Sequence, residues 1–292
     1  VLSLYCNWHN DTHVFTGKTV LMGGSSQMDP NINGSIVGDL SAILISNLPF
    51  WVTRQQTPSN DVALMGNWEL KIERMAEEII KEKITSITGV PSWTQILFER
   101  VLQKTGANDL NEVWPQLEMY IHGAVNFDPF KERFKKMAPK LNYLEIFNAS
   151  EGFFGIQYEK GVSDFLLMLD YGIFYEFIPS EEFFNKNPTR ISLADVEIGV
   201  NYVIILNTDA GLWGYNIGDT VKFVSVDPYR IIVSGRIKHF TSAFGEHVIA
   251  EEVEKSLQET LAKLPAQVNE FHVAPKVNPE NGLPYHEWLI EF

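Results

Sequence analysis

The apolar positions of this chain fall into helical stripes and short continuous runs, and the mixture changes near residue 151. Residues 1–66 are mixed, with apolar stretches at 19–22 and 43–48 separated by Gly, Ser, Asn and Pro, and without repeats. From residue 68 to about residue 82, Ile72, Met75, Ala76, Ile79 and Ile80 recur at the spacing of one helix face. Lys and Glu fill the other face, which predicts an amphipathic helix. A short strand is expected at 84–88, closing at Gly89. Pro91 and Ser92 open a second helix carrying Ile96, Leu97, Val101 and Leu102, and Gly106 supplies its C-terminal stop. Next come a strand at 117–121, a helix from Asp128-Pro129 (read as N-cap and N1) to about Met137, and a strand at 143–147. This alternation predicts an α/β sheet with parallel pairs.

Beyond Glu151 strands dominate. Runs at 165–169 and 173–178 flank Asp170-Tyr171-Gly172 and predict a hairpin, and runs at 202–206 and 220–226 add two strands. Asp227-Pro228 interrupts the pattern and is the expected hinge. After it come a strand at 230–233, a Gly235-Arg236-Ile237-Lys238 loop, a helix at about 250–264 and strands at 271–274 and 288–292. Val253, Leu257, Leu261 and Leu264 line that helix, and Glu251, Glu252 and Glu254 suit the dipole of its first turn. The expected fold class is therefore α/β. A large N-terminal domain over residues 1–226 mixes sheets, helices and a β-rich part, and a small α+β C-terminal lobe starts at 227 and runs to 292.

Composition narrows the functional classes. With 45% hydrophobic and 21% charged residues, the chain has the makings of a sizeable core. A net charge of −14 argues against a general nucleic-acid or anionic-membrane surface. One cysteine, Cys6, excludes an intrachain disulfide and suits a reducing cytoplasm. No apolar run of membrane-spanning length and no signal-peptide pattern is present, so a cytoplasmic protein is expected. The chain opens without Met and stops on an apolar run, so a segment of a longer protein is expected.

Several familiar motifs fail. Gly17-Lys18-Thr19 lacks the earlier glycine of a P-loop, because Thr12 stands there. Gly23-Gly24-Ser25-Ser26 reads more readily as a plain turn than as an anion cradle, and the seven histidines show no zinc spacing. No GxSxG elbow supports a serine hydrolase. Three short stretches carry more. Phe147-Asn148-Ala149-Ser150-Glu151-Gly152 ends a strand in small and polar residues with a lone acid, at the sheet edge where α/β folds bind ligands. Tyr215-Asn216-Ile217-Gly218-Asp219 sets an acid after glycine, suited to a ribose diol. Gly235-Arg236-Ile237-Lys238 supplies two cations suited to a phosphate or ribose. Each read alone is more readily a strand exit, a turn, or solvated charge.

In this order the three stretches resemble the adenylate-forming superfamily, and most closely the GH3 auxin-responsive family of acyl-acid amido synthetases, especially its bacterial members. Gly89-Val90-Pro91-Ser92-Trp93, Ile121-His122-Gly123-Ala124-Val125, Tyr175-Glu176-Phe177-Ile178-Pro179 and Ala210-Gly211-Leu212-Trp213 extend the likeness over nearly the whole chain. The resemblance implies ATP and Mg²⁺ as cofactors, with Phe147 against adenine beside Asn148, Ala149, Ser150 and Tyr215. Glu151 would be the metal ligand, Asp219 the ribose acid, and Arg236 and Lys238 catalytic cations brought in by a mobile lobe. His122, Gly123, Ala124 and Val125 would line the acyl group. Asn216 stands where the family has Arg.

The implied reaction is activation of a carboxylic acid as acyl-adenylate, followed by amide formation with an amino acid or other amine. A thiol acceptor such as coenzyme A, or a catalytically silent nucleotide- or acyl-binding protein, are the alternatives. The family's Ser/Thr/Gly-rich phosphate loop has no convincing match in residues 1–66, so this segment alone is expected to turn over little. The acyl acid, the acceptor and the oligomeric state are not legible.

Overall fold

The structure, a computed structural model, describes residues 1–24, 29–30, 36–37, 39–237, 250–264, 266, 268, 270–276 and 285–292. It forms two compact units, Val1–Ile146 and Phe147–Phe292.

The first unit begins with α1 (Leu2–Trp8), β1 (Lys18–Leu21), and the two-residue strands β2 (Asp29–Pro30) and β3 (Ile36–Val37), which pair with each other. Then follow α2 (Leu40–Ser46), α3 (Phe50–Thr53), β4 (Gln56–Thr57) and α4 (Asn60–Ala63). The expected alternation comes next: α5 (Trp68–Ile79), β5 (Ile84–Thr88), α6 (Pro91–Thr105), α7 (Leu110–Val113), β6 (Met119–His122), α8 (Asp128–Met137) and β7 (Asn142–Ala149). The Asn67 side chain accepts from the Leu70 N–H and caps α5, while Gly106 ends α6 at φ 69, a conformation glycine adopts without strain. Helix α8 starts one residue earlier than its sequence implies. Asp128 is already helical, Pro129 follows it, and the Asn126 side chain accepts from the Asp128 N–H.

Strands β4, β1, β5, β6 and β7 lie side by side in that order, every pair parallel. Fully buried Ile79, Ile84, Ile87, Leu97, Phe98, Val101 and Phe134 fill the space between this sheet and its helices. Each such side chain contributes about 1.5–3 kcal/mol by leaving water. Tyr5, Val14 and Met119 form a smaller cluster on the other face.

The second unit is antiparallel. It contains β8 (Gly152–Ile156), β9 (Phe165–Leu167), β10 (Ile173–Pro179), β11 (Ile191–Ser192), β12 (Asn201–Thr208), β13 (Tyr215–Val226) and β14 (Tyr229–Arg236). They are ordered β11, β10, β12, β13, β14, β9, β8. Helix α9 (Ala250–Leu261) and the antiparallel pair β15 (Glu270–Lys276) and β16 (Tyr285–Glu291) complete it.

Two expectations change here. The runs around Asp170-Tyr171-Gly172 are not partners, because β9 pairs with β8 and β14 while β10 pairs with β11 and β12. Asp227-Pro228 is the two-residue turn of the β13–β14 hairpin, with Val226 opposite Tyr229. A hinge there would have to break the ladder, and Ile237 just beyond it is buried with Ile178, Val203 and Ile205. The strand-rich unit therefore runs on through Ile237.

Candidate active site

The sheet edge of the second unit gathers most of the candidate residues. Strand β7 ends at Ala149 and β8 begins at Gly152, leaving Ser150 and Glu151 as the turn between them. Ser150 is exposed and Glu151 half-buried. A side chain at Gly152 would start 2.7 Å from Ile173 Cδ1 and 3.0 Å from the Phe154 ring, so the turn needs glycine for close approach. Phe147 points into the core, 9% exposed and packed on Phe154 and Phe165, leaving little of its ring for a base to cover. Asn148 is exposed and Ala149 half-buried.

Tyr215 opens β13, and the Glu151 carboxylate near it holds its phenol proton more tightly than usual. Four residues on stands Asp219. Asn216, at the family's Arg position, turns its Oδ1 onto the Gly218 N–H at 2.8 Å, and Gly218 takes φ 88. Asn216 thus shapes the bend before Asp219 and brings no charge. Arg236 lies directly opposite Asp219 in the β13–β14 register, its Nε 2.8 Å from Asp219 Oδ1 and its Nη2 3.1 Å from the Ile217 carbonyl. The expectation that Arg236 arrives on a moving lobe is thereby corrected: it is a fixed member of the sheet that carries the acid. Lys238 lies outside the described residues.

The stretch expected to line the acyl group belongs to the first unit. His122 ends β6, 3% exposed, with its ring 4.2 Å from that of Phe127 and 5.1 Å from that of Tyr120. Burial lowers its pKa to about 3, so the imidazole is neutral, and its Nδ1 has no hydrogen-bond partner. Beside it in register, Glu145 on β7 is raised to about 7, first by burial and then by the Asp128 charge, with Lys131 opposing. After Gly123, Ala124 adopts φ 71, the one positive φ outside glycine among the described residues. Such strain tends to sit at binding sites. Val125 is 40% exposed.

The Gly23-Gly24 turn is occupied by the protein itself. Lys71, 1% exposed on α5, donates to the carbonyls of Gly23 and Gly24, at 2.5 and 3.0 Å, and the Gly24 N–H donates to Ser41 Oγ at 2.6 Å. The Ser41 hydroxyl in turn hydrogen-bonds Asp39, the N-cap of α2. These two glycines present no free N–H pair to an anion. Lys71 had one sequence signal, a lysine one position before Ile72 on the apolar face of α5. Nothing in sequence could pair Glu176, Arg190 and Asn207, which meet from separate strands and loops of the second unit.

Among the described residues no group of three His, Cys, Asp or Glu side chains could hold a metal alone. One half-buried carboxylate, Glu151, suits Mg²⁺ only as a partner to phosphate oxygens, which is how that ion is commonly held. The residues fit a metal arriving with a nucleotide. Among the described residues no helix is long and apolar enough to cross a membrane.

Comparison with known proteins bears on the family and the fold. The model of the GH3 family N-terminal domain matches residues 9–143, and that of the GH3 family central domain matches residues 166–236. Indole-3-acetic acid-amido synthetase GH3.3 of Arabidopsis thaliana is 26% identical over 161 residues, covering 51% of this chain and 26% of its own length. GH3.4 of the same organism is 24% identical over 163 residues, covering 51% of this chain and 27% of its own length. The matched stretch thus spans about a quarter of these relatives. Among solved structures, the AtGH3.15 acyl acid amido synthetase in complex with 2,4-DB superposes with TM-score 0.78 at 12% identity, covering 99% of this chain and 60% of that one. The anthranilate CoA ligase AuaEII in complex with anthranoyl-AMP gives 0.56 at 14%, covering 94% and 49%. Both structures share the fold. With its two family models together taking in well over half of its residues, the chain belongs to the GH3 family.

Proposed function

We propose that this protein activates a carboxylic acid with ATP and Mg²⁺ and passes the acyl group to an amine, that of an amino acid or another. The observation that carries this reading is one strand segment, 215–219. At one end Tyr215 stands near the Glu151 carboxylate, and at the other Asp219 and Arg236 form a carboxylate–guanidinium pair, Nε to Oδ1 2.8 Å.

A carboxylate oxygen of the acid attacks the α-phosphorus, the bond to the bridging oxygen breaks, and pyrophosphate leaves. The amine nitrogen then attacks the acyl carbon, the carbon–oxygen bond to phosphate breaks, and AMP leaves as the nitrogen loses a proton. Asp219 would accept the ribose hydroxyls, and Phe147, Asn148, Ala149, Ser150 and Tyr215 would border the base and phosphates. Glu151 would hold the Mg²⁺, which neutralises charge on phosphate oxygens when bound. Arg236 and Lys238 would add positive charge, with any mobile lobe starting beyond Ile237. His122, Gly123, Ala124 and Val125 would line the acyl group; the neutral, buried His122 suits an apolar acid.

The experiment is isotope exchange of pyrophosphate into ATP across a panel of carboxylic acids, followed by an acceptor screen. Exchange with one acid class, lost in Glu151→Ala at unchanged melting temperature, is the expected result. Exchange retained in that variant would overturn the assignment of Glu151. A thiol acceptor shares the first half-reaction, and the fold likeness to a CoA ligase keeps it in the screen.

A further inference from the structure

The strand that carries Asp219 is irregular on both sides. Toward β12, Val203 faces Thr220 and Ile205 faces Asn216, so Ile217, Gly218 and Asp219 together stand against Ile204 alone. Toward β14, Val221 faces Val233 while Thr220 faces Gly235, which leaves Ser234 as an extra residue in β14. This is a β-bulge, a device that commonly re-aims a side chain beside a functional site. Gly235, next along, takes φ 147, a conformation that residues with a side chain rarely adopt.

The extra residue decides which pair follows. Carried on from Val221 and Val233 without it, the ladder would set Gly235 opposite Asp219 and Arg236 opposite Gly218. Successive side chains alternate between faces, so Arg236 would then point away from the acid. With Ser234 inserted, Arg236 falls opposite Asp219, and its Nε reaches Oδ1 at 2.8 Å.

The bulge is held by its own side chain. Ser234 Oγ donates to Asn201 Oδ1 on β12 and lies 2.9 Å from Thr220 Oγ1 on β13. A hydroxyl has a single proton to give, so Thr220 is the donor in the second bond. Ser234 and Thr220 are both buried, and the three side chains tie β12, β13 and β14 together at the bulge. Without the serine hydroxyl, Thr220 would keep a buried donor with no acceptor there, and nothing from the side chain would pin the extra residue at this position.

We propose that Ser234, joined to Thr220 and Asn201, is a positioning residue for the nucleotide site: it fixes the bulge that brings Arg236 onto Asp219, and so sets the acid for the ribose. This rests on the reading of Asp219 as the ribose acid.

The test compares, by calorimetric titration, the affinities of ATP and of dideoxy-ATP, which lacks both ribose hydroxyls. A carboxylate accepting those hydroxyls should make the parent favour ATP by about tenfold or more, and Asp219→Ala should abolish the preference. Ser234→Ala is expected to cut the preference to about threefold or less, through weaker ATP binding. Thr220→Val, which keeps the side chain's shape without its hydroxyl, should do the same and decides the matter if Ser234→Ala does not fold. Ile231→Val is the control: it thins the buried core of the same hairpin away from the bulge, and should keep the parent's preference to within about twofold. A preference retained in the Ser234 and Thr220 variants, or lost equally in Ile231→Val, overturns the proposal and leaves Asp219 its role. A parent that binds both nucleotides alike, or an Asp219→Ala variant that keeps the preference, overturns the ribose reading and this inference with it.

Discussion

Asp219 and Arg236 stand opposite each other on two strands of one hairpin, their Oδ1 and Nε 2.8 Å apart. Asp219 keeps 14% of its side chain exposed and Arg236 keeps 56%. The acid is thus held by a guanidinium that itself faces solvent. Hydrogen bonds to a charged group are worth about 1.5–3 kcal/mol, so Asp219→Ala should weaken ATP binding by about tenfold to a hundredfold while the sheet stays folded. Calorimetric titration of ATP checks it, and an unchanged affinity removes Asp219 from the ribose role.

Ala124 offers a stability test of its strained backbone. A non-glycine residue at φ 71 costs on the order of 1 kcal/mol. Ala124→Gly should therefore raise unfolding stability by several tenths of a kcal/mol, less whatever glycine loses in chain entropy. If this loop lines the acyl group, as proposed, and the strain holds it in place, the same variant should raise KM for the acid in the exchange assay while leaving that for ATP unchanged. A variant less stable than the parent would show that the loop gains nothing from glycine.

Glu145 makes stability depend on pH. Its carboxyl is raised from 4.5 to about 7 in the folded chain, so between those values the native state holds a proton that the unfolded state has released. Stability is then lost as pH rises from about 4.5 through 7, by on the order of 3 kcal/mol. Glu145→Gln should be more stable than the parent at pH 8, with the gap closing toward pH 4.5, as read from urea denaturation at both ends. The same pH slope in parent and variant would assign the effect to another group.

From residue 68 onward the main elements of the first unit are legible in sequence because helix stripes and short apolar runs report burial directly, whereas the short helices and strands before it carry no such pattern. Ile72, Met75 and Ile79 mark α5, and Gly106 marks the end of α6. Strand pairing in the second unit is not legible, because runs such as 165–169 and 173–178 look like neighbours until long-range register assigns them elsewhere. The same limit hid the hairpin at Asp227-Pro228, where a turn dipeptide reads equally as a linker. Ser150, Glu151 and Asp219 stand out as small and acidic residues breaking apolar strands. Asn207 and Glu176 are ordinary polar residues until the sheet brings them together.

The buried Lys71 matches donors to acceptors in an unusual way. Burial lowers its pKa, with Asp39 opposing. A neutral amine has two N–H bonds, and Lys71 has two carbonyls to satisfy, those of Gly23 and Gly24. Loss of the proton therefore need not break either bond, and the anchor of the Gly23-Gly24 turn is indifferent to protonation. Arginine would bring five donors to the same two oxygens and leave the surplus stranded in the interior, while methionine would bring none. Lysine supplies enough donors for both oxygens in either protonation state, two as the amine and three as the ammonium.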